Sequence, residues 1–447
     1  MSDLLGIGAS GIRAYQSALT TVSENIANAS TAGYTRRSST ISEVSSTGGS
    51  ITSRSVNDVN GSVITGIKRI GDMFRSADVR SAGADLARSE ASIGWMDKIE
   101  TTLSNNQLGD RLTSFFNAAK AIAADPTATT PRQAMLEAAT SVAGAFSATG
   151  KGLNAIDQDI DATADDSVTT LNGLGASLAR VNDAIARVQP GTAGAAQLGD
   201  QRDQLLEQMS AISDVAVTTD DLGRATVRLG AGGPVFVAGS DAGYVTYARG
   251  DAGAVSFALH RDGASSTMTP GGGVLAGVGE SAQRVAAARD SLNTIATGFV
   301  DAVNTAQGMG RDLDGNAGSA MFAVRGSPTD IGLGLTDPRG IAAAAVGGGT
   351  RDNGNLANFE ALRSSGKFEA NTTALVSGNA SALAARKSVA EAQSAIRDNA
   401  VAARDSVTGV NLDNEAVDLM RFQQAYQASA RVVQVARETF QSILTIQ

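Results

Sequence analysis

Two amphipathic runs, one at each end of the sequence, constrain this chain more than anything between them. Across residues 410–447 no Gly or Pro occurs, and Ala416, Leu419, Tyr426, Ala430, Val433, Phe440 and Leu444 recur at spacings of three, four and seven. Gln423 and Arg437 are polar interruptions. The pattern predicts one apolar seam on a helix of roughly 30 residues, about 45 Å long at 1.5 Å per residue. Asp413 or Asn414 is expected to cap it, and Glu415 and Asp418 put negative charge in the first turn, where the helix dipole favours it. At the other end Leu5, Gly8, Ile12, Tyr15, Leu19, Val22 and Ile26 alternate steps of three and four, up to the stop residues Asn28, Ser30 and Gly33. Two such helices at opposite ends are expected to pair as a coiled-coil-like stalk, with everything between them looped out as a body.

The interior supports that division. Residues 38–71 are rich in Ser, Thr and Gly and read as an extended arm with short strands. Helices are expected over 72–103 (seam Phe74, Val79, Leu86, Ile93, Met96, Ile99), over 111–123, and from Pro131 to about Phe146 with the proline in the first turn. A long Ala-rich helix over 153–188, weakened at Gly173 and Gly175, and a short one over 195–212 follow. Residues 215–279 then alternate on a period of two between Gly-containing turns, which predicts five or six strands. Helix returns over 281–306, a Gly-rich connector without periodicity fills 308–366, and 367–406 is helical again. The expected class is mainly α with a small inserted all-β domain. Its units are a terminal helical domain (1–38 with 407–447), a helical body (39–214 with 281–406) and the β insert (215–280).

Chemistry is easier to exclude than to find. The 447 residues contain no Cys, one His and one Trp, with 4% aromatics and a net charge of −9. Thiolate catalysis, disulfides and Cys-based metal sites are therefore out. The low aromatic content suits Ala-rich helices with thin seams better than one large aromatic core. The longest basic cluster is Thr35-Arg36-Arg37, too little for a phosphate-tracking surface, so no nucleic-acid partner is expected. No apolar run reaches the 18 or so residues of a membrane span, and the N-terminus lacks a basic region followed by an apolar one. A soluble chain without a cleavable signal is expected.

Gly6-x-Gly8-x-x-Gly11 matches a dinucleotide fingerprint, but no strand precedes it and Gly8 lies on the seam. A close helix crossing is the better reading. Gly144 to Lys151 has the wrong spacing for a P-loop, with Gly152 where Ser or Thr is needed. Asp312, Asp314 and Asn316 begin like a calcium loop, yet Ala317 and Ala323 occupy the positions of the required Gly and Glu, which leaves a polar turn. His260 falls in an expected strand with no flagged partner. No catalytic, cofactor or metal site is expected.

Residues 22–36 (VSENIANASTAGYTR) resemble the N-terminal signature of bacterial flagellar rod, hook and hook-associated proteins, and residues 421–432 (RFQQAYQASARV) resemble their C-terminal signature. These ends mark the axial family without choosing a branch. Residues 198–206 (LGDQRDQLL), with Ser210 and Val215-Ala216-Val217, are similar to an internal motif of the hook-associated branch found at the hook–filament junction. Residues 410–413 and 337–342 are similar too. Gly199 departs slightly from the motif, and the β region is shorter than in larger members, which implies that an outermost domain is missing.

The resemblance implies a secreted structural component of the flagellum without catalysis. Its terminal helices would form coaxial tubes in the axial core. The expected assembly interface is Leu5, Ile12, Tyr15, Leu19, Val22 and Ile26 against Leu419, Tyr426, Val433, Phe440 and Leu444. The implied partners are further copies of the chain, the hook protein, the next hook-associated protein and an export chaperone that binds near the C-terminal helix. Export would run unfolded through the flagellar type III apparatus. Gln427, Gln434 and Gln441, seven apart, form an uncharged stripe that is a candidate lining for a central channel. The competing readings are a hook or distal-rod protein and an unrelated cytosolic helical adaptor.

Overall fold

In the computed structural model, which describes residues 2–44, 61–230, 232–250 and 253–445, the chain begins with helix α1 (Ser2–Ala27) and an antiparallel hairpin of β1 (Arg37–Val44) and β2 (Gly61–Arg69), in register from Arg37 opposite Arg69. Helix α2 (Met73–Asn105) starts at Asp72, whose carboxylate accepts from the Phe74 and Arg75 amides. Helices α3 (Leu108–Ala121), α4 (Thr129–Arg187) and α5 (Ala193–Ile212) follow. Strands β3 (Val215–Thr219), β4 (Ala225–Leu229), β5 (Val235–Ala238) and β6 (Asp241–Ala242) form one antiparallel sheet in sequence order. A second sheet holds β7 (Tyr244–Arg249), β8 (Val255–Arg261) and β9 (Ala264–Met268). The chain returns through α6 (Gly273–Gly308), a small hairpin of β10 (Phe322–Val324) and β11 (Ile331–Leu333), then α7 (Leu356–Gly366), α8 (Phe368–Thr408) and α9 (Leu412–Thr445). The fold is mainly helical, with a small β region between α5 and α6 and long terminal helices that pack together.

The largest correction concerns α4. The two helices expected over 131–146 and 153–188 are one rod of 59 residues. Pro131 occupies its third position, where a missing N–H costs nothing because the first four have no intrahelical acceptor. Of the two glycines expected to weaken it, Gly173 has open space around it and Gly175 is a close approach, as is Gly152. A side chain at Gly152 would run into Thr102 of α2, and one at Gly175 would strike the ring of Phe236 on β5. Two asparagines on the same half of the rod fix the strands. Asn172 exchanges both amide bonds with Val245, and the fully buried Asn182 does the same with Ala225 and also donates to the Gly239 carbonyl. Tertiary contacts thus override a local glycine penalty of about 1 kcal/mol each.

Scarce aromatics do form a core. Phe115, Phe116, Phe146, Phe322 and Phe368 all lie with ring centroids 5.3–6.2 Å from Phe299 on α6, so half of the 12 phenylalanines meet at one point. By contrast Phe74, expected on the α2 seam, is 83% exposed. Among the described residues the β insert holds seven strands and ends at Met268, so residues 273–280, expected in the β insert, are the first turns of α6. The backbone of Gly273, at φ +76°, lies against Ile212 and Ser213, an approach that a side chain would block.

The connector between α6 and α7 shows no sequence period because side chains hold its backbone instead. Arg132 of α4, 1% exposed, donates to the carbonyls of Pro126, Pro338 and Ile341. Gln307 reaches the Gly340 carbonyl, and Asn355 reaches those of Ala306 and Ala342. Asp312 accepts from the amides of Asp314 and Asn316, which makes the calcium-like stretch a polar turn.

Candidate assembly interface

Helices α1 and α9 run antiparallel. Gly8 meets Val433 and Ser429, Gly11 meets Ser429, the Tyr15 and Phe422 ring centroids are 6.4 Å apart, and Asn25 reaches Glu415. The Gly8 and Gly11 of the fingerprint-like run therefore mark a helix crossing, where a missing Cβ lets backbones approach. Ala14, Ala18, Val22 and Ala436 are buried. Ser10 and Thr21 turn toward the hairpin, bonding to the Ser62 amide and the Ser39 hydroxyl. Small residues thus make the contact within one chain. Among the larger side chains expected to make it, only Val22 is buried. Leu5, Ile12, Tyr15, Leu19, Ile26, Leu419, Tyr426 and Val433 are half-buried at its margins, and Phe440 is 51% exposed. The side chain of Leu444 lies outside the described residues. Ala416 is exposed as well. Phe440 falls beyond the reach of α1, because Gly8 already pairs with Val433.

At the root of the pair the sequence motifs converge on one polar network. Glu415 is fully buried. It accepts from Arg36 Nε at 2.6 Å and from Asn25 Nδ2 at 3.0 Å. Asn25 uses its full hydrogen-bonding capacity, donating also to the Arg37 carbonyl and accepting from the Arg37 amide and the Tyr34 hydroxyl. Burial pushes the Tyr34 hydroxyl above its ordinary pKa. Asn411, rather than Asp413 or Asn414, caps α9 by accepting from both of their amides. Glu415 therefore acts as an anchor, beyond the dipole role its position suggests.

A second layer joins this root to the body through the LGDQRDQLL segment. Asp200 and Asp203, three apart on α5, share one face. Arg69 bonds Asp200 at 2.6 Å and Asp203 at 2.7 Å, and donates to Thr35. Arg37 adds pairs with Asp200 and Glu24, while Gln204 donates to the Ala32 carbonyl. Burial works against ionised Asp203, but Arg69 and Arg202 outweigh it and hold its pKa below the usual range. Burial likewise opposes the charge on Arg69 and is overcome by Asp203 and Asp200, so its pKa rises. The expected interface omitted Asn25, Arg36, Arg37, Arg69, Asp200, Asp203 and Glu415. The available signal was a polar residue, Asn25, beside the apolar seam, and the i,i+3 acid pair on α5.

Gln427, Gln434 and Gln441 are exposed along α9. Gln434 donates to Glu438, and exposed Arg431 shares that side, so the stripe is less free of charge than its spacing suggests. His260 stacks on Tyr244 and hydrogen-bonds Thr246. No cluster of three or more His, Asp or Glu suited to a metal occurs among the described residues. No described helix is long and apolar enough to cross a membrane.

Three comparisons bear on this arrangement. Residues 96–322 match the model described as the flagellar hook-associated protein FlgK helical domain. Residues 5–35 match that of the flagella basal body rod protein, and 405–446 that of the flagellar basal body rod FlgEFG protein C-terminal region. The flagellar hook-associated protein 1 of Salmonella typhimurium strain LT2 is 30% identical over 342 residues, 73% of this chain and 60% of that protein. The chain thus spans about 60% of the length of this relative. The protein of that name from Escherichia coli K12 is 25% identical with 100% of both chains covered, and that from Bacillus subtilis 168 is 24% identical over 97% of this chain and 96% of the relative. The flagellar hook junction protein FlgK from Burkholderia pseudomallei has a similar fold, with a TM-score of 0.50 at 20% identity over 56% of this chain and 47% of that one.

Proposed function

The chain belongs to the flagellar hook-associated protein FlgK family, and from that premise we propose that it is a structural, non-catalytic axial component of the bacterial flagellum, joining hook to filament. The observation that carries the reading is the convergence at the root. The stretches at both ends and the internal motif over 198–206 form one hydrogen-bonded joint between a paired-helix stalk and a helical body. A protein that joins two tubes needs a stalk held at a fixed angle, and charge-assisted bonds supply that geometry. The match of residues 96–322 to the hook-associated model favours this reading over hook or distal rod.

In this reading the polymerising unit is 1–38 with 407–447, the body 39–214 with 273–406, and the insert the β region 215–268. Further copies of the chain, the hook protein and the next hook-associated protein are its neighbours, and an export chaperone holds the C-terminal helix before secretion. The larger seam residues, half-exposed in one chain, are covered by other copies. Phe440 tests this directly. Its exposure means that Phe440→Asp leaves the melting temperature of the purified chain unchanged, while cells carrying it lose filament attachment. Normal swimming by such cells would refute the reading, and immunogold label confined to the cytosol would favour an adaptor.

Gln427, Gln434 and Gln441 are assigned to the wall of the central channel, where fixed charge would hold or repel passing segments. Changing all three to Glu is expected to leave the junction assembled and to slow filament elongation beyond it. Elongation at the parental rate, measured by pulse-labelling of filament tips, would remove the stripe from the channel.

A further inference from the structure

One arginine in the root region has no partner. Arg80 of α2 is 9% exposed, its Nε is buried without a hydrogen bond, and no ion pair reaches it among the described residues. The nearby acids are already taken. Asp203 is bonded by Arg69 and Arg202, and Glu207 by Arg404. Burial lowers the Arg80 pKa, and Asp203 and Glu207 offset this only in part. An isolated buried charge is costly, and a carboxylate arriving from outside would relieve it.

Arg80 lines an open cleft of about 550 Å³ between the start of α2, α5 and β3. The same cleft is walled by Leu206, Val217, Met73 and Phe74, and the last two are 62% and 83% exposed. A cation set beside two uncovered apolar side chains fits a carboxylate flanked by apolar groups. The first turns of α9 carry that complement. The exposed carboxylate of Asp413 makes no ion pair among the described residues, and Leu412 and Val417 beside it are 55% and 59% exposed. Asp413 and Val417, four apart, share a face. Both patches lie at the stalk root, the cleft through Arg69 and the α9 turn through Glu415, so copies set side by side around an axis would present one to the other.

We propose that the Arg80 cleft of one copy receives the Asp413 carboxylate of a second copy, with that copy's Leu412 and Val417 laid against Met73 and Phe74. The proposal rests on the self-assembly reading above. Because the two patches differ, the contact is heterologous and propagates from copy to copy. Arg80 acts here as a docking cation, so its loss weakens assembly without weakening the free chain.

Since the chain has no cysteine, a Phe74→Cys, Val417→Cys variant reports the contact by disulfide trapping. Axial structures isolated from cells expressing it, then oxidised, should give a ladder of linked chains on a non-reducing gel, and either single variant at most a dimer. The variant present in those structures but running as monomer would overturn the docking proposal and leave the junction reading intact. Parental chain missing from the structures would overturn both. Arg80→Glu or Asp413→Arg alone should cut incorporation on the order of tenfold or more, and the combined swap should restore it. Failure of the swap to restore it would also overturn the pairing. Arg80→Met should match or exceed the parental melting temperature, whereas a fall would make Arg80 a structural residue of the free chain.

Discussion

Glu415→Ala is expected to loosen α9 from α1 and the turn that follows α1, while leaving the body folded. The change removes a fully buried carboxylate, leaves one Asn25 donor unpaired and leaves Arg36 with its longer 3.5 Å pair to Asp418. Breaking a buried pair from one side costs about 3–5 kcal/mol, and Arg36, 27% exposed, brings the expected loss toward the lower end. The α1–α9 contact is otherwise built mostly from Gly, Ala and Ser, with Val22 and the Tyr15–Phe422 pair as its larger members, so it has few other terms to absorb that loss. Limited proteolysis of the purified variant should clip residues near both ends at least tenfold faster than in the parent, a factor that corresponds to about 1.4 kcal/mol. The melting transition of the body should stay in place. Glu415→Gln, which keeps the hydrogen bond to Asn25, should fall between the two. Unchanged cleavage in the Ala variant would show that the network is not what holds the stalk.

Phe299→Ala should have the opposite distribution, with the body failing first. Phe299 is fully buried and touches five other phenylalanine rings drawn from α3, α4, β10 and α8. Truncation of such a residue costs about 3–5 kcal/mol, transfer and cavity together. For a body of this size that is roughly a 10 °C fall in melting temperature. Phe74→Ala, at an 83% exposed site, should leave the transition within about 1 °C of the parent. Calorimetry on the two variants compares a core ring with a surface ring of identical chemistry. Equal shifts would mean that the ring cluster does not govern body stability.

What the sequence reveals and what it hides differ in physical kind. Period is legible wherever a helix buries one stripe, so α1, α2, α5, α8 and α9 are found near their true ends. The β alternation is legible for the same reason, down to the Gly turns. Three things are not. The continuity of α4 depends on Phe236, Thr102 and Val245, which lie 50 to 73 residues away from the positions they support. The aromatic core is assembled from six rings spread between residues 115 and 368, too sparse in any one window to register. The contact between α1 and α9 uses small side chains, whereas hydrophobic periodicity weights the large ones that the single chain leaves at its margins. Of the polar root, the motif residues stand out as a pattern, but nothing in their spacing shows that Asn25, Glu415 and Asp200 belong to one network.

The single rod of α4 has a consequence for how this architecture can change in length. The rod carries the aromatic core on its first half, through Phe146, and both sheets on its second, through Asn172, Gly175 and Asn182. These two loads share one helical phase. An added residue between them would swing the sheets by about 100° around the rod, off the side that α6 shares with them, whereas seven added residues would restore the bearing to within about 20° and carry the sheets about 10 Å outward. The spacing between core and sheets can therefore grow only in steps that return the bearing, such as about seven or about eleven residues, which makes α4 a screw thread rather than a tether, setting reach and bearing together.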